Sequence, residues 1–274
     1  MPKQLTTDEI ELLKERELEI LAEIDRVCNE HNINYSLGYG SLLGAIRHRG
    51  FIPWDDDVDI IMERNEYESF KKIANDQLKE GCYFVDAENS EYYGLTYGKI
   101  MLSGTVMKES SLKTSKAPDG VFVDVFPLDV VPNSKKLREK QFKRAKSLKR
   151  TLICREKYYF GQKGFRLLIY RLRRLGYLLI PKKQLLKKYR RNARTYENCE
   201  ECNCIGNLGG VYSIEQDTYP REVFSKYRRV QFENIKCMCV NDYDIVLKRT
   251  YGDYNQLPPE EKRIPHHYVE ELKL

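Results

Sequence analysis

Two aspartates separated by one apolar residue, Asp57-Val58-Asp59, constrain this chain more than any other feature. Val58, Ile60, Ile61 and Met62 read as a strand, where residues i and i+2 face the same way, roughly 7 Å apart. Both carboxylates are therefore expected on one face. Sixteen positions before Asp57 stands Ser41, the second half of a Gly40-Ser41 pair. The pair lies between a short apolar run, Tyr35-Ser36-Leu37-Gly38, and an expected helix from Leu42 to His48. Glycine lets a backbone approach closely, and a helix N-terminus offers N–H groups to a phosphate. Farther on, Asp124 stands between Val123 and Val125 in a strand, Val121 to Phe126, expected to end at Pro127. An unpaired charge on a buried strand is costly, so a metal or a basic partner is expected beside it. Two carboxylates for a hard cation and a third able to take a proton are the inventory of two-metal phosphoryl transfer. A lone D-x-D is more often solvent-exposed than catalytic; the ordered combination carries the specificity.

The surrounding pattern is mixed α and β. Thr6-Thr7-Asp8-Glu9 is a capping box opening a helix to about Glu30, with an apolar stripe from Ile10 to Cys28. A helix is expected over 64–80, β-rich runs over 82–108, and a hairpin from Arg229–Glu233 and Ile235–Val240. A helix from Asp242 should end at Gly252, and the tail reads as mostly loop. No apolar run approaches the ~18 residues that cross a bilayer. The opening MPKQLTTDEIELLKERE is charged where an export signal is apolar, so the expectation is a cytoplasmic protein with eight reduced thiols.

Charge is distributed very unevenly. Residues 135–194 hold 23 Lys and Arg against two acidic residues, a net +21; the remainder has 24 basic against 39 acidic residues, a net −15. Such a block usually faces a polyanion: nucleic acid, an anionic membrane or a phosphorylated substrate. Within it, Phe165, Leu167, Leu168, Ile169, Leu172, Leu175, Leu178 and Leu179 alternate with Arg166, Arg171, Arg173 and Arg174. That is the pattern of an interfacial helix, or of a helix packing an apolar side on the core. Peripheral attachment to the inner face of the cytoplasmic membrane is the sharper expectation.

The stretch SLGYGSLLGAIRHRGFIPWDDDVDI resembles the signature of the LicD family of phosphotransferases, and GVFVDVFPLD, YPREVF and YGDYNQLPPEEKR followed by HH also fit it. The resemblance spans roughly residues 10–270 and is strongest over 35–62 and 119–129. It implies an α/β (α+β) fold with a nucleotidyltransferase, polymerase-beta-like core on a mixed sheet. The expected organisation is a catalytic core over 1–134, a basic helical subdomain over 135–205, and a portion over 206–274 that completes the catalytic domain. Gly40 and Ser41 become the phosphate-facing pair, Asp57 and Asp59 the metal carboxylates, and Asp124 the third carboxylate. The activity implied is Mg²⁺- or Mn²⁺-dependent transfer of phosphocholine, or a polyol phosphate, from CDP-choline or another CDP-alcohol to a sugar hydroxyl. The acceptor would be a glycan such as a lipid-linked teichoic acid or capsule precursor. Two rival classes remain: a nucleotidyltransferase moving NMP to a small acceptor, and a basic nucleic-acid- or membrane-binding protein with an inactive core. Three intact carboxylates disfavour the inactive core, and no nucleic-acid partner is expected.

Other residues are candidates. Arg47 suits bidentate phosphate contact. Lys99, after Gly98 on a strand, could meet a phosphate. Arg263 and His266, with His267 beside them, could bind donor phosphate or shape the acceptor site. Asp55 and Asp56 read as loop residues supporting the pair, and Trp54 as a packing anchor. Cys199, Cys202, Cys204, Cys237 and Cys239 offer ligands for a structural Zn²⁺, although they lack two clean C-x₂-C knuckles and could equally be buried apolar residues.

Overall fold

The computed structural model describes residues 4–159, 161–265 and 267–274. Helix α1 (Thr7–Glu30) begins where the capping box places it: Glu9 N–H donates to Thr6 Oγ1 at 3.3 Å, and the Glu9 carboxylate accepts from Thr6 N–H at 3.0 Å. Its apolar stripe, Leu13, Ile20, Leu21, Ile24 and Val27, is fully buried in the main core.

The chain then enters the sheet. Strand β1 (Ser36–Leu37), helix α2 (Tyr39–Arg47), strand β2 (Asp59–Glu63) and helix α3 (Arg64–Gln77) follow in order, and then β3 (Cys82–Val85), β4 (Gly98–Leu102), β5 (Val106–Glu109) and β6 (Phe122–Val131). The central order is β1-β2-β6-β4-β3. Strand β2 runs parallel to β6, while β4 is antiparallel to it, so the sheet is mixed.

Strand β6 does not end at Pro127 but runs four residues farther. The proline falls where β6 changes partners. Strand β4 pairs with it up to Val125, and β7 (Cys204–Gly206) pairs with it from Asp129. A missing N–H is tolerated where a ladder is already interrupted.

Residues 135–194 form three helices, α4 (Lys135–Arg155), α5 (Gly164–Leu178) and α6 (Lys182–Ala193). The last two pack chiefly on α4. The chain returns through β7 and β8 (Thr218–Pro220) to extend the main sheet, and then makes the hairpin β9 (Tyr227–Phe232) and β10 (Ile235–Val240). Helix α7 (Tyr243–Tyr251) stops at Gly252, whose φ of +71° is cheap only for glycine. The tail is not all loop: β11 (Val269–Lys273) pairs with β5. No helix among the described residues is long and apolar enough to cross a membrane.

The five cysteines suggested for zinc do not assemble. Cys199 and Cys202 are joined in a disulfide, which corrects the expectation of eight reduced thiols. Cys237 and Cys239 are buried on β10 in the apolar core, and Cys204 lies on β7. The physical reason is their placement on different elements with apolar surroundings, where a thiol packs as a small hydrophobe.

Candidate active site

The site forms at the edge where β2 and β6 begin. In the parallel register, Asp59 and Asp124 are direct partners, so their carboxylates lie side by side on neighbouring strands. Asp57 stands two residues before the strand rather than on it. The tightest acidic group is the approach to β2: one oxygen each from Asp55, Asp56 and Asp57 lie within 4.8 Å of one another. Among the described residues no other trio of acidic, histidine or cysteine side chains closes to that spacing. Asp55 and Asp56, read from sequence as supporting loop residues, are therefore part of the acidic edge.

Helix α2 begins three residues earlier than the pattern suggested, which places Gly40 and Ser41 inside its first turn. Ser41 is buried, and its Oγ accepts from Asp59 N–H at 2.8 Å, tying the turn to the strand. Gly40 has no room for a side chain: a Cβ there would lie 2.5 Å from Asp55 Oδ2. Tyr39 opens the helix at φ +43°, a strained value for a non-glycine residue. Its hydroxyl is held on both sides, donating to Asp217 Oδ1 at 2.8 Å and accepting from Asn207 Nδ2 at 2.7 Å.

His267 and Lys99 face this acidic edge. His267 reaches it from the tail: its N–H donates to Asp56 Oδ2 at 3.0 Å, and Nδ1 lies 3.1 Å from Asp56 Oδ1. Nε2 is 3.7 Å from Glu109 Oε1. Burial opposes charge on the ring, but the bond to Asp56 and the nearby Glu109 and Asp57 outweigh it and raise its pKa to about 10. Lys99, fully enclosed, sits 3.2 Å from Asp124 Oδ1 and 3.6 Å from Glu109 Oε2, over the Phe122 ring.

The carboxylates outnumber these cations, and their proton affinities show it. Burial, then Asp57 and Asp56, holds Asp55 well above the usual carboxylate range; burial, then Asp57 and Asp124, does the same to Asp59. Asp124 is raised by burial to about 6, against the pull of Lys99. Behind the edge, Glu17 of α1 is fully buried with neither carboxyl oxygen hydrogen-bonded, and burial followed by Asp57 raises its pKa too.

The edge opens on a cavity of about 870 Å³. Asp55, Asp57, Asp59, Gly40, Arg47 and His267 lie on its wall. Arg47 donates to Tyr254 O at 2.8 Å. A run of aromatic rings forms another part of the lining. Tyr97 and Phe126 lie 4.2 Å apart by ring centroid, Phe126 and Tyr39 5.5 Å, Tyr39 and Tyr212 5.3 Å, and Tyr212 and Tyr251 6.1 Å. Tyr39, Phe126 and Tyr251 stand inside the stretches that carry the family resemblance, whereas no motif announces Tyr97 and Tyr212.

Two sequence candidates fall elsewhere. Lys99 lies beside Asp124, off the cavity wall, because buried Asp124 and half-buried Glu109 claim its charge. Arg263 stacks over Trp54 at 5.5 Å and donates to Pro258 O, so it supports the wall from behind. His266 lies outside the described residues. Among the described residues, the tail histidine at the carboxylates is His267.

The aligned aspartates and the Gly-Ser helical turn all fall within a stretch that matches a known family. The family described as LicD/FKTN/FKRP, nucleotidyltransferase domain, matches residues 32–161. The chain is 34% identical over 274 residues to the lipopolysaccharide cholinephosphotransferase LicD of Haemophilus influenzae, covering 98% of each. The chain belongs to the LicD family. An uncharacterized protein of Rickettsia typhi is 43% identical over 67 residues, 24% of this chain and 21% of the relative. One of Rickettsia prowazekii is 43% identical over 49 residues, 18% of each.

Proposed function

We propose that this protein transfers phosphocholine from a CDP-linked donor to a sugar hydroxyl of a cell-surface glycan. The core would be of nucleotidyltransferase type, formed by residues 1–134 and 206–274, with the helices of 135–205 as an appended basic subdomain. The observation that carries the reading is one cavity with an acidic edge on one side and a run of tyrosine and phenylalanine rings on the other. Aromatic faces attract quaternary ammonium groups, and the carboxylates add to that attraction. The relative's own description, as a lipopolysaccharide cholinephosphotransferase, supports the same head group.

The residues also fit a divalent metal. The donors are all carboxylate oxygens, the preference of Mg²⁺ and Mn²⁺. Burial and the neighbouring carboxylates make Asp55 and Asp59 hold protons strongly, which a bound cation would relieve. Asp56 already has both oxygens on His267, so Asp57, Asp59 and Asp124, with Asp55 adjacent, are the available ligands. Bound there, the cation would neutralise the donor diphosphate and the charge that develops on the leaving oxygen.

The protein's own groups then have distinct tasks. The first turn of α2 offers backbone N–H groups to the donor phosphates, with Arg47 on the same wall. The sugar oxygen attacks the phosphorus that bears choline; its bond to the CMP oxygen breaks, and CMP leaves. Asp124, with a pKa of about 6, is deprotonated near neutral pH and takes the hydroxyl proton. Lys99 and His267 hold Asp124 and Asp56 in place. The acceptor class is a surface glycan, whether lipopolysaccharide, teichoic acid or capsule precursor. The test is a donor panel of CDP-choline, CDP-glycerol and CDP-ribitol read by mass spectrometry of the acceptor. Preferred use of CDP-choline is expected; preferred use of either polyol donor would overturn the head-group assignment.

A further inference from the structure

Helix α5 has no buried residue. Phe165, Leu168, Leu172, Leu175 and Leu179 recur at spacings of three and four, which puts them on one face. They are 75%, 51%, 59%, 60% and 85% exposed. With Leu178, this short segment holds six of the fourteen exposed large apolar side chains among the described residues, so the patch is concentrated.

The opposite face is moored. Tyr170 donates its hydroxyl to Tyr158 O at 2.8 Å, and Arg174 Nε donates to Arg155 O at 3.1 Å. These two residues, four apart, fix the rotation of α5 about its axis, and the apolar stripe consequently points away from the body. Exposed Arg166 and Arg173 border the stripe on one side and Arg171 on the other. No acidic residue occurs between Glu156 and Glu197. A partner that covers this face must accept apolar side chains at its centre and present anions around them.

We infer that α5 is a membrane-docking helix, lying in the headgroup boundary of an anionic phospholipid bilayer with its leucine face toward the acyl chains. A lipid surface supplies both chemistries at once, an apolar interior and a continuous anionic plane. The inference does not depend on which head group the active site transfers.

The test is sedimentation of the full chain with phosphatidylglycerol-containing vesicles and with pure phosphatidylcholine vesicles, at low and at high salt. The expected result is binding to the anionic vesicles that falls with salt. Leu172→Ser with Leu175→Ser, and separately Arg171→Glu with Arg173→Glu, should each reduce partitioning at least tenfold and leave the thermal transition unchanged, since none of the four is buried. Equal, negligible binding of wild type to both vesicles overturns the inference. So does binding that the leucine variant retains in full, which would mean that the stripe stays out of the bilayer. Concentration-dependent dimers in ultracentrifugation, abolished in the leucine variant and without vesicle binding, would assign the face to a second copy instead.

Discussion

Replacing Asp124 by asparagine should separate stability from chemistry. The carboxyl titrates at about 6 in the folded protein against 3.8 ordinarily, because it is buried. That gap, at about 1.4 kcal/mol per pH unit, is roughly 3 kcal/mol of destabilisation carried by the charged form at neutral pH. The sign follows from the direction. A carboxyl with raised affinity binds its proton more tightly when folded, so its stabilising share is complete below 3.8 and is lost as pH rises through about 6. Asparagine keeps the shape and removes the charge. Lys99 then loses one partner but keeps Glu109 at 3.6 Å, which cancels part of the gain. For a chain of this size, a net of about 1–3 kcal/mol corresponds to a melting temperature higher by about 2–5 °C. The assay is thermal unfolding in chelator at pH 7.5 and pH 4, beside a turnover assay with divalent metal. Asp124→Asn should melt above wild type at the higher pH, match it at the lower, and turn over at least a thousandfold more slowly. A variant that melts several degrees below wild type at pH 7.5, or keeps turnover within tenfold, would refute the reasoning.

Asp57→Asn and Asp59→Asn should each lower kcat by at least a thousandfold with an unchanged circular dichroism spectrum, and excess chelator should abolish wild-type turnover; full activity in chelator would end the metal assignment. His267→Gln removes one partner of a buried pair and should cost about 3–5 kcal/mol in thermal unfolding. The deficit should be largest below pH 6.5 and shrink as pH rises toward 10, where wild type loses its own imidazolium; a pH-independent deficit would show that the charge is not what matters. Tyr212→Ala should raise KM for a choline-bearing donor at least tenfold more than for a glycerol-bearing one; equal effects on both would remove the aromatic wall from head-group recognition.

What could be read from sequence is what local chemistry dictates. The capping box at Thr6 and the stop at Gly252 need only their neighbours, and both stand where they were expected. The valines around Asp124 and the apolar run after Asp59 are strands because each side of them is buried, and the register brings the two aspartates together. Features that depend on distant partners were not legible. Val269–Lys273 is polar and becomes a strand only because β5 offers it an edge. Pro127 reads as a terminator until β7 is seen to pair with β6 beyond it. Three consecutive aspartates are visible from 55 to 57, but the role of Asp56 depends on His267, which lies 211 residues away in the chain. Arg263 is drawn off the site by Trp54, and Lys99 off the cavity wall by Asp124. The exposure of α5 follows from its mooring by Tyr170 and Arg174, which helical periodicity alone does not show.

The central claim is that a phosphocholine group, and not a nucleotide, passes to the acceptor. The measurement that tests it most directly is quantification of the small products formed with CDP-choline, and separately with CTP, in the presence of Mg²⁺ and a sugar acceptor. The expected result is one CMP released for each phosphocholine on the acceptor, no pyrophosphate from CTP, and loss of both products in Asp57→Asn. Pyrophosphate released together with a nucleotide-modified acceptor would contradict it and make the same aspartates the centre of a nucleotidyltransferase.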